Sequence, residues 1–98
     1  MFEQLKNIME MQKKIKTVKE TLENTIITVQ SKDSLVSLTM NGAQKLTGIR
    51  INRPLTEITV ESLERELRDA LERAINQTQQ LAAQKVKEIT GINLPTSF

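Results

Sequence analysis

Ile8, Met11, Ile15, Val18 and Leu22 follow one another at alternating steps of three and four residues. That spacing predicts a helix from about Phe2 to Asn24 with one apolar seam of the coiled-coil kind. From Thr25 to Gln30 the chain turns to β-branched residues, and Ser31-Lys32-Asp33-Ser34 reads as a polar turn before a second strand. In that strand Val36, Leu38 and Met40 alternate with Ser37 and Thr39; in the next, Ile49 and Ile51 alternate with Gly48 and Arg50. Such period-two alternation predicts a three-stranded antiparallel meander with one buried face. Asn41-Gly42 supplies residues that tolerate positive φ at the hairpin, with a link through Ala43 to Lys45 that exceeds a two-residue turn. Pro54 ends the third strand because it cannot donate to a ladder.

The last predicted element is a long helix. Val60, Leu63, Leu67, Leu71, Ile75, Thr78, Ala82, Val86 and Ile89 recur at a mean spacing of about 3.6, with Thr59 placed to cap the start and Gly91 to stop the end. Thirty residues at about 1.5 Å each give roughly 45 Å, against a radius of gyration near 13 Å for a compact 100-residue domain. Either this helix breaks in its Gln-rich stretch or another subunit covers its far end. The tail "GINLPTSF" is uncharged and expected to be loosely ordered. No repeat or linker divides the chain, so residues 1–98 read as one α+β domain: N-terminal helix, meander, long C-terminal helix.

The 98 residues include no cysteine and no histidine. Disulfides, thiol chemistry, the usual zinc sets and the commonest general base are therefore absent from the chain. No spacing singles out a pair of carboxylates, so neither an enzyme nor a cofactor, metal or small-molecule substrate is expected. The first twenty residues include Glu3, Lys6 and Glu10 with no apolar run, and nowhere do about 18 apolar residues follow one another. No leader or membrane span is expected, and the expected location is the cytoplasm. Phe2 and Phe98 are the only aromatics. The stacking platform of single-strand and RNA-loop binders is missing, so a nucleic-acid partner would be held by its backbone.

Net charge is +2, a mild bias whose placement matters more than its size. "KKIKTVK" puts Lys13, Lys14, Lys16 and Lys19 within two helical turns, with Lys6 one heptad before Lys13. These are candidate phosphate contacts, since lysines meeting DNA release its counterions. As a plain solvated face they would instead be neutralised by Glu10, Glu20 and Glu23 at helical spacing. Between Asp33 and Glu57 lie Lys45, Arg50 and Arg53 and no acid, which suits a basic surface or equally a charged strand edge. In the long helix Glu61–Arg65, Glu64–Arg68 and Asp69–Arg73 are favourable i,i+4 pairs, so these arginines are expected to be locally neutralised. "AINQTQQLAAQ", Ala74 to Gln84, carries no charge and is the expected subunit contact, with Lys85 and Lys87 making the far end basic.

Taken in order, "IMEMQKK", the Leu35-Val36 lead into "VSLTMNGA", the run "IRINRPL", and Gly91 followed by Leu94-Pro95 resemble the YbaB/EbfC family of bacterial nucleoid-associated proteins over nearly the whole chain. The resemblance implies a homodimer whose helical arms project like tweezers and contact duplex DNA, with the hairpin in the dimer core. The chain departs from the family pattern in three places. Glycine-rich segments are replaced by Glu3-Gln4-Leu5 and Ser31-Lys32-Asp33-Ser34, Asn52 stands in place of an aspartate, and the long helix reads Ala70-Leu71-Glu72-Arg73-Ala74. The expected DNA contacts are thus assigned by charge placement: Lys13, Lys14, Lys16 and Lys19, with Arg53, Lys85 and Lys87 secondary. The rival expectation is a dimeric adaptor that docks another protein.

Overall fold

The computed structural model describes residues 2–92, and the expectation for the tail from Asn93 onward lies outside them. The elements are α1 (Phe2–Glu23), β1 (Ile26–Gln30), β2 (Val36–Asn41), β3 (Leu46–Ile51), a single 3-10 turn (Leu55–Glu57) and α2 (Val60–Thr90). The three strands form one antiparallel sheet in the order β1-β2-β3, as the alternating pattern predicts. Thr59 caps α2 by accepting the Ser62 N–H on Oγ1 at 3.1 Å. At the other end Gly91, at φ 78°, donates to the Lys87 carbonyl. The 31 residues of α2 run unbroken through Gln77–Gln80.

Sheet and helix meet over a small core. Leu35, Val36 and Leu38 pack with Ala70 and are flanked by Ile51, Ile58, Leu63 and Leu67. Val29, Met40 and Ala74 form a second cluster beside Ile27. The buried line of α2 is Glu66, Ala70, Ala74, Thr78 and Ala83; it shares Thr78 with the expected line, but over the sheet it lies one residue away from Leu67, Leu71 and Ile75, with Leu63 and Leu67 packed at its flank. The methyl groups of Ala70 and Ala74 let the helix sit close on the sheet, which turns the larger leucines to the flank of the contact. Leu71 is left 42% exposed and Val60 66%.

Because α2 rests mainly on β1 and β2, the inner face of β3 is covered at Ile51 but open at Leu46 and Ile49. Leu46 is 42% and Ile49 57% exposed, although both belong to the face that carries Leu38 and Met40. The outer face of the sheet is polar, built from Thr28, Gln30, Ser37, Thr39, Arg50 and Asn52.

The molecule measures 67 × 21 × 16 Å, far from a sphere. The reason is that the second half of α2 leaves the sheet and pairs with α1. The C-terminal end of α1, through Leu22 and Glu23, and the middle of α2, through Thr78, are tied to the same hairpin turn, so α1 and the second half of α2 run antiparallel and form an arm. Part of the uncharged segment Ala74–Gln84 serves this packing: Ala74 lies on the sheet, Thr78 bonds the hairpin, and Ala83 is buried. The small residues of the segment face the subunit's own interior, while Asn76, Gln77, Gln80 and Gln84 stay exposed and open to a subunit contact.

Candidate nucleic-acid interface

The first helix has a much weaker seam than its heptad spacing suggests. Val18 is its one buried residue, Met11 and Leu22 are half-buried, and Ile8 and Ile15 are 56% and 57% exposed. A single neighbouring helix covers only a narrow stripe, and positions around 60° to 80° from its centre stay in water.

All four lysines of "KKIKTVK" are exposed, but the helix does not bring them to one face. At about 100° per residue, Lys16 lies roughly 160° from Val18 and points away from α2, whereas Lys14 lies only about 40° from it. Lys6, Lys13 and Lys16 fall within an arc of about 80° and make the outer stripe, with Lys19 at its border. Lys14 stands beside the helix contact instead. Among the described residues the one ion pair in this group is Lys16 Nζ to Glu20 Oε1 at 3.9 Å, between side chains 78% and 59% exposed. So open a pair contributes little and yields readily to a phosphate. The expected Glu10–Lys14 pair does not form.

On the second helix of the arm, Lys87 is exposed and Lys85 is held by Glu88 at 3.3 Å. Both share the arm with α1, but Lys85 already has its counter-charge. Arg53 stands apart from all of these. Its Nη2 donates to the Asp33 carbonyl at 3.3 Å, beside the β1–β2 turn. The arm springs from the opposite end of β2, roughly 17 Å away along the strand. Arg53 therefore belongs to the body of the molecule and not to the lysine stripe.

The expected neutralisation of α2 is also corrected in part. Asp69 pairs with Arg73 at 3.0 Å, but Glu61–Arg65 and Glu64–Arg68 do not form ion pairs. Asp69 Oδ2 also accepts the Lys32 N–H at 2.8 Å, so its partner set was only half visible in the helix spacing. Arg65 and Arg68 line an open surface with Glu61 and Glu64.

Leu38, Leu46, Ile49, Leu67 and Leu71, with Arg68 at the border, line an apolar cleft of about 260 Å³ where β3 meets the flank of α2. Glu66 is 4% exposed and its Oε2 has no hydrogen-bond partner. Among the described residues no three His, Cys, Asp or Glu side chains gather to hold a metal, and no helix is long and apolar enough to cross a membrane.

The same arrangement recurs in other proteins. The profile of the "YbaB/EbfC DNA-binding family" matches residues 1–92. A "Nucleoid-associated protein" of Legionella pneumophila (strain Corby) is 25% identical over 95 residues, covering 96% of this chain and 85% of that one. Another "Nucleoid-associated protein", from Microcystis aeruginosa, is 30% identical over 88 residues, covering 89% and 77%. Among solved structures, the uncharacterized protein HP0035 from Helicobacter pylori superposes with a TM-score of 0.66 at 26% identity, over 93% of this chain and 94% of that one.

Proposed function

We propose that this chain, which belongs to the YbaB/EbfC DNA-binding family, binds duplex DNA in the bacterial nucleoid as a homodimer of single-domain subunits, through phosphate contacts with little readout of sequence. The observation that carries this reading is the arm. A projecting pair of helices presents Lys6, Lys13 and Lys16 on its outward face, with Lys19 and Lys87 nearby and only one weak ion pair among them. Lysines are flexible point charges that meet phosphates without demanding a base pattern. Neither α1 nor the second half of α2 from Thr78 onward contains an arginine, whose planar fork could read base edges. Arg53 and Lys85 take a lesser part, one by position and the other by its pairing with Glu88.

Homodimerisation is supported by the open part of the inner face of β3. Leu46, Ile49 and Leu71 are apolar, half in water and contiguous, and a second copy of the same patch would complete the core that α2 leaves open. Such an assembly places two arms at a fixed separation on one duplex.

Anisotropy of a labelled random duplex, repeated across salt concentrations, tests the reading. With about four to six phosphates engaged, log affinity falls against log salt with a slope of roughly −3.6 to −5.4, and an unrelated duplex competes almost equally. Changing Lys13, Lys14, Lys16 and Lys19 together to Gln weakens binding to every sequence. No binding at low salt by an intact dimer would move the assignment to the adaptor. That second reading draws on the apolar side chains in water near the arm tip, Phe2 at 90% exposure and Leu5, Ile8 and Met9 above half.

A further inference from the structure

The four-residue link Gly42–Lys45 and the strand residue before it do more than reverse the chain. Gly42 donates its N–H to two carbonyls at the end of the first helix and just beyond, Leu22 at 2.8 Å and Thr25 at 2.9 Å. The Asn41 side chain works in two directions. Its Oδ1 accepts the Ala43 and Lys45 N–H groups at 3.0 and 2.9 Å and so shapes the turn, while Nδ2 donates to the Glu23 carbonyl at 3.2 Å. Helix ends leave their last carbonyls without intrahelical partners, and here the hairpin supplies donors to two of them, those of Leu22 and Glu23. The second helix is tied to the same turn, because Gln44 Nε2 donates to Thr78 Oγ1 at 3.1 Å. Gln44 holds φ 65°, a conformation unfavourable for a non-glycine residue, with its amide within reach of α2.

Gly42 itself is not among the residues of positive φ, so turn conformation does not account for it. Space does. A Cβ built on Gly42 would stand 2.8 Å from the Leu22 carbonyl oxygen and 3.1 Å from the Leu22 Cα, both backbone atoms that no rotamer change can clear. Gly48, in the same hairpin, gives the opposite result: a Cβ there meets the Thr39 side chain at an ordinary 3.5 Å.

We infer that Asn41 and Gly42 are positioning residues that fix the angle between the basic arm and the sheet, and through it the separation of the lysine stripes offered to DNA. The inference rests on the DNA-binding reading for its second half only. A side chain at residue 42 pushes the end of α1 off the sheet, and because α1 is a rigid rod of about 33 Å, a small shift at its base becomes a larger one at its tip.

The absence of cysteine makes the test direct. Spin labels on Gln12→Cys in the arm and Thr28→Cys on the outer face of β1, both exposed positions, report the arm-to-sheet distance. Labelled protein diluted into unlabelled protein isolates the distance within one subunit. Gly42→Ala is expected to shift or broaden that distance and to weaken duplex binding roughly tenfold, because arms held at the wrong separation lose part of their joint engagement of one duplex. Gly48→Ala leaves both unchanged. Asn41→Asp keeps the oxygen that holds the turn but loses the donor to Glu23, and is expected to act as Gly42→Ala does. It carries the test if the alanine variant loses its helix signal. An unchanged distance in folded Gly42→Ala or Asn41→Asp overturns the inference, and so does a shifted distance with unchanged DNA affinity. Failure of the wild-type protein to bind DNA would refute the functional reading separately, while the distance would still decide whether this turn fixes the arm.

Discussion

The two halves of α2 lie in different worlds. From Val60 to about Ala74 the helix covers a sheet, and the contact holds Val36, Ala70 and Ala74 with no measurable exposure. Beyond Thr78 its main neighbour is another helix, and the buried apolar side chains of that contact are Val18 at 7% and Ala83 at 9%. A sheet offers a broad surface and buries whole side chains, whereas one antiparallel helix covers a stripe. The body thus holds most of the apolar burial that stabilises the fold, and the arm holds most of the lysines that are free to act. Separation of this kind lets the arm's surface change without threatening the core.

The hardest test of that division is at the body's open face. Ile49→Lys places a charge in the uncovered β3 patch, where a lone subunit tolerates it because the residue is 57% exposed. Light scattering and sedimentation are expected to show the dimer weakened by about 100-fold or more, since a buried unpaired charge costs several kcal/mol. A variant that remains fully dimeric would place the interface elsewhere.

The same substitution made in both regions sharpens the contrast. Val36→Ala removes two fully buried methyl groups and is expected to cost about 2–3 kcal/mol in chemical denaturation. Val18→Ala is expected to cost about 1 kcal/mol or less, with faster amide exchange confined to the arm. Equal losses would mean that body and arm unfold as one unit.

Within the body, Glu66 is the misfit. Replacing it by Met removes a buried carboxylate oxygen without a partner, and is expected to raise stability by about 1 kcal/mol. A loss of stability on that change would show that the carboxylate finds a donor, the partner subunit being the obvious source.

The smallest effect separates two lysines of the arm. Lys16→Gln, on the outer stripe, should reduce the salt slope of DNA binding by about 1, whereas Lys14→Gln, beside α2, should change it by less than half as much. Similar slopes for the two would mean that DNA does not lie along the outward face.

Element identity was legible in this sequence because it depends on near neighbours. Steps of three and four residues, strict alternation, Thr59 and Gly91 mark helices, strands and caps through local geometry, and each lies where the pattern placed it. The lysines were legible as charges for the same reason. What the sequence could not decide was which side of an element another one would approach. The leucine line of α2 looked like its core face, but the close seat allowed by Ala70 and Ala74 turned the burial by one residue and left Leu71 in water. Arg53 was grouped with the lysines by charge alone, yet strand length and direction put it at the other end of the sheet from the arm. Gly42 carried the mark of a turn glycine, and only the arrival of Leu22 from 20 residues away in sequence shows why no side chain fits there. Periodicity is a property of neighbouring residues and can be read from them. Burial, pairing and clearance belong to two distant segments at once and exist only when the tertiary structure brings them together.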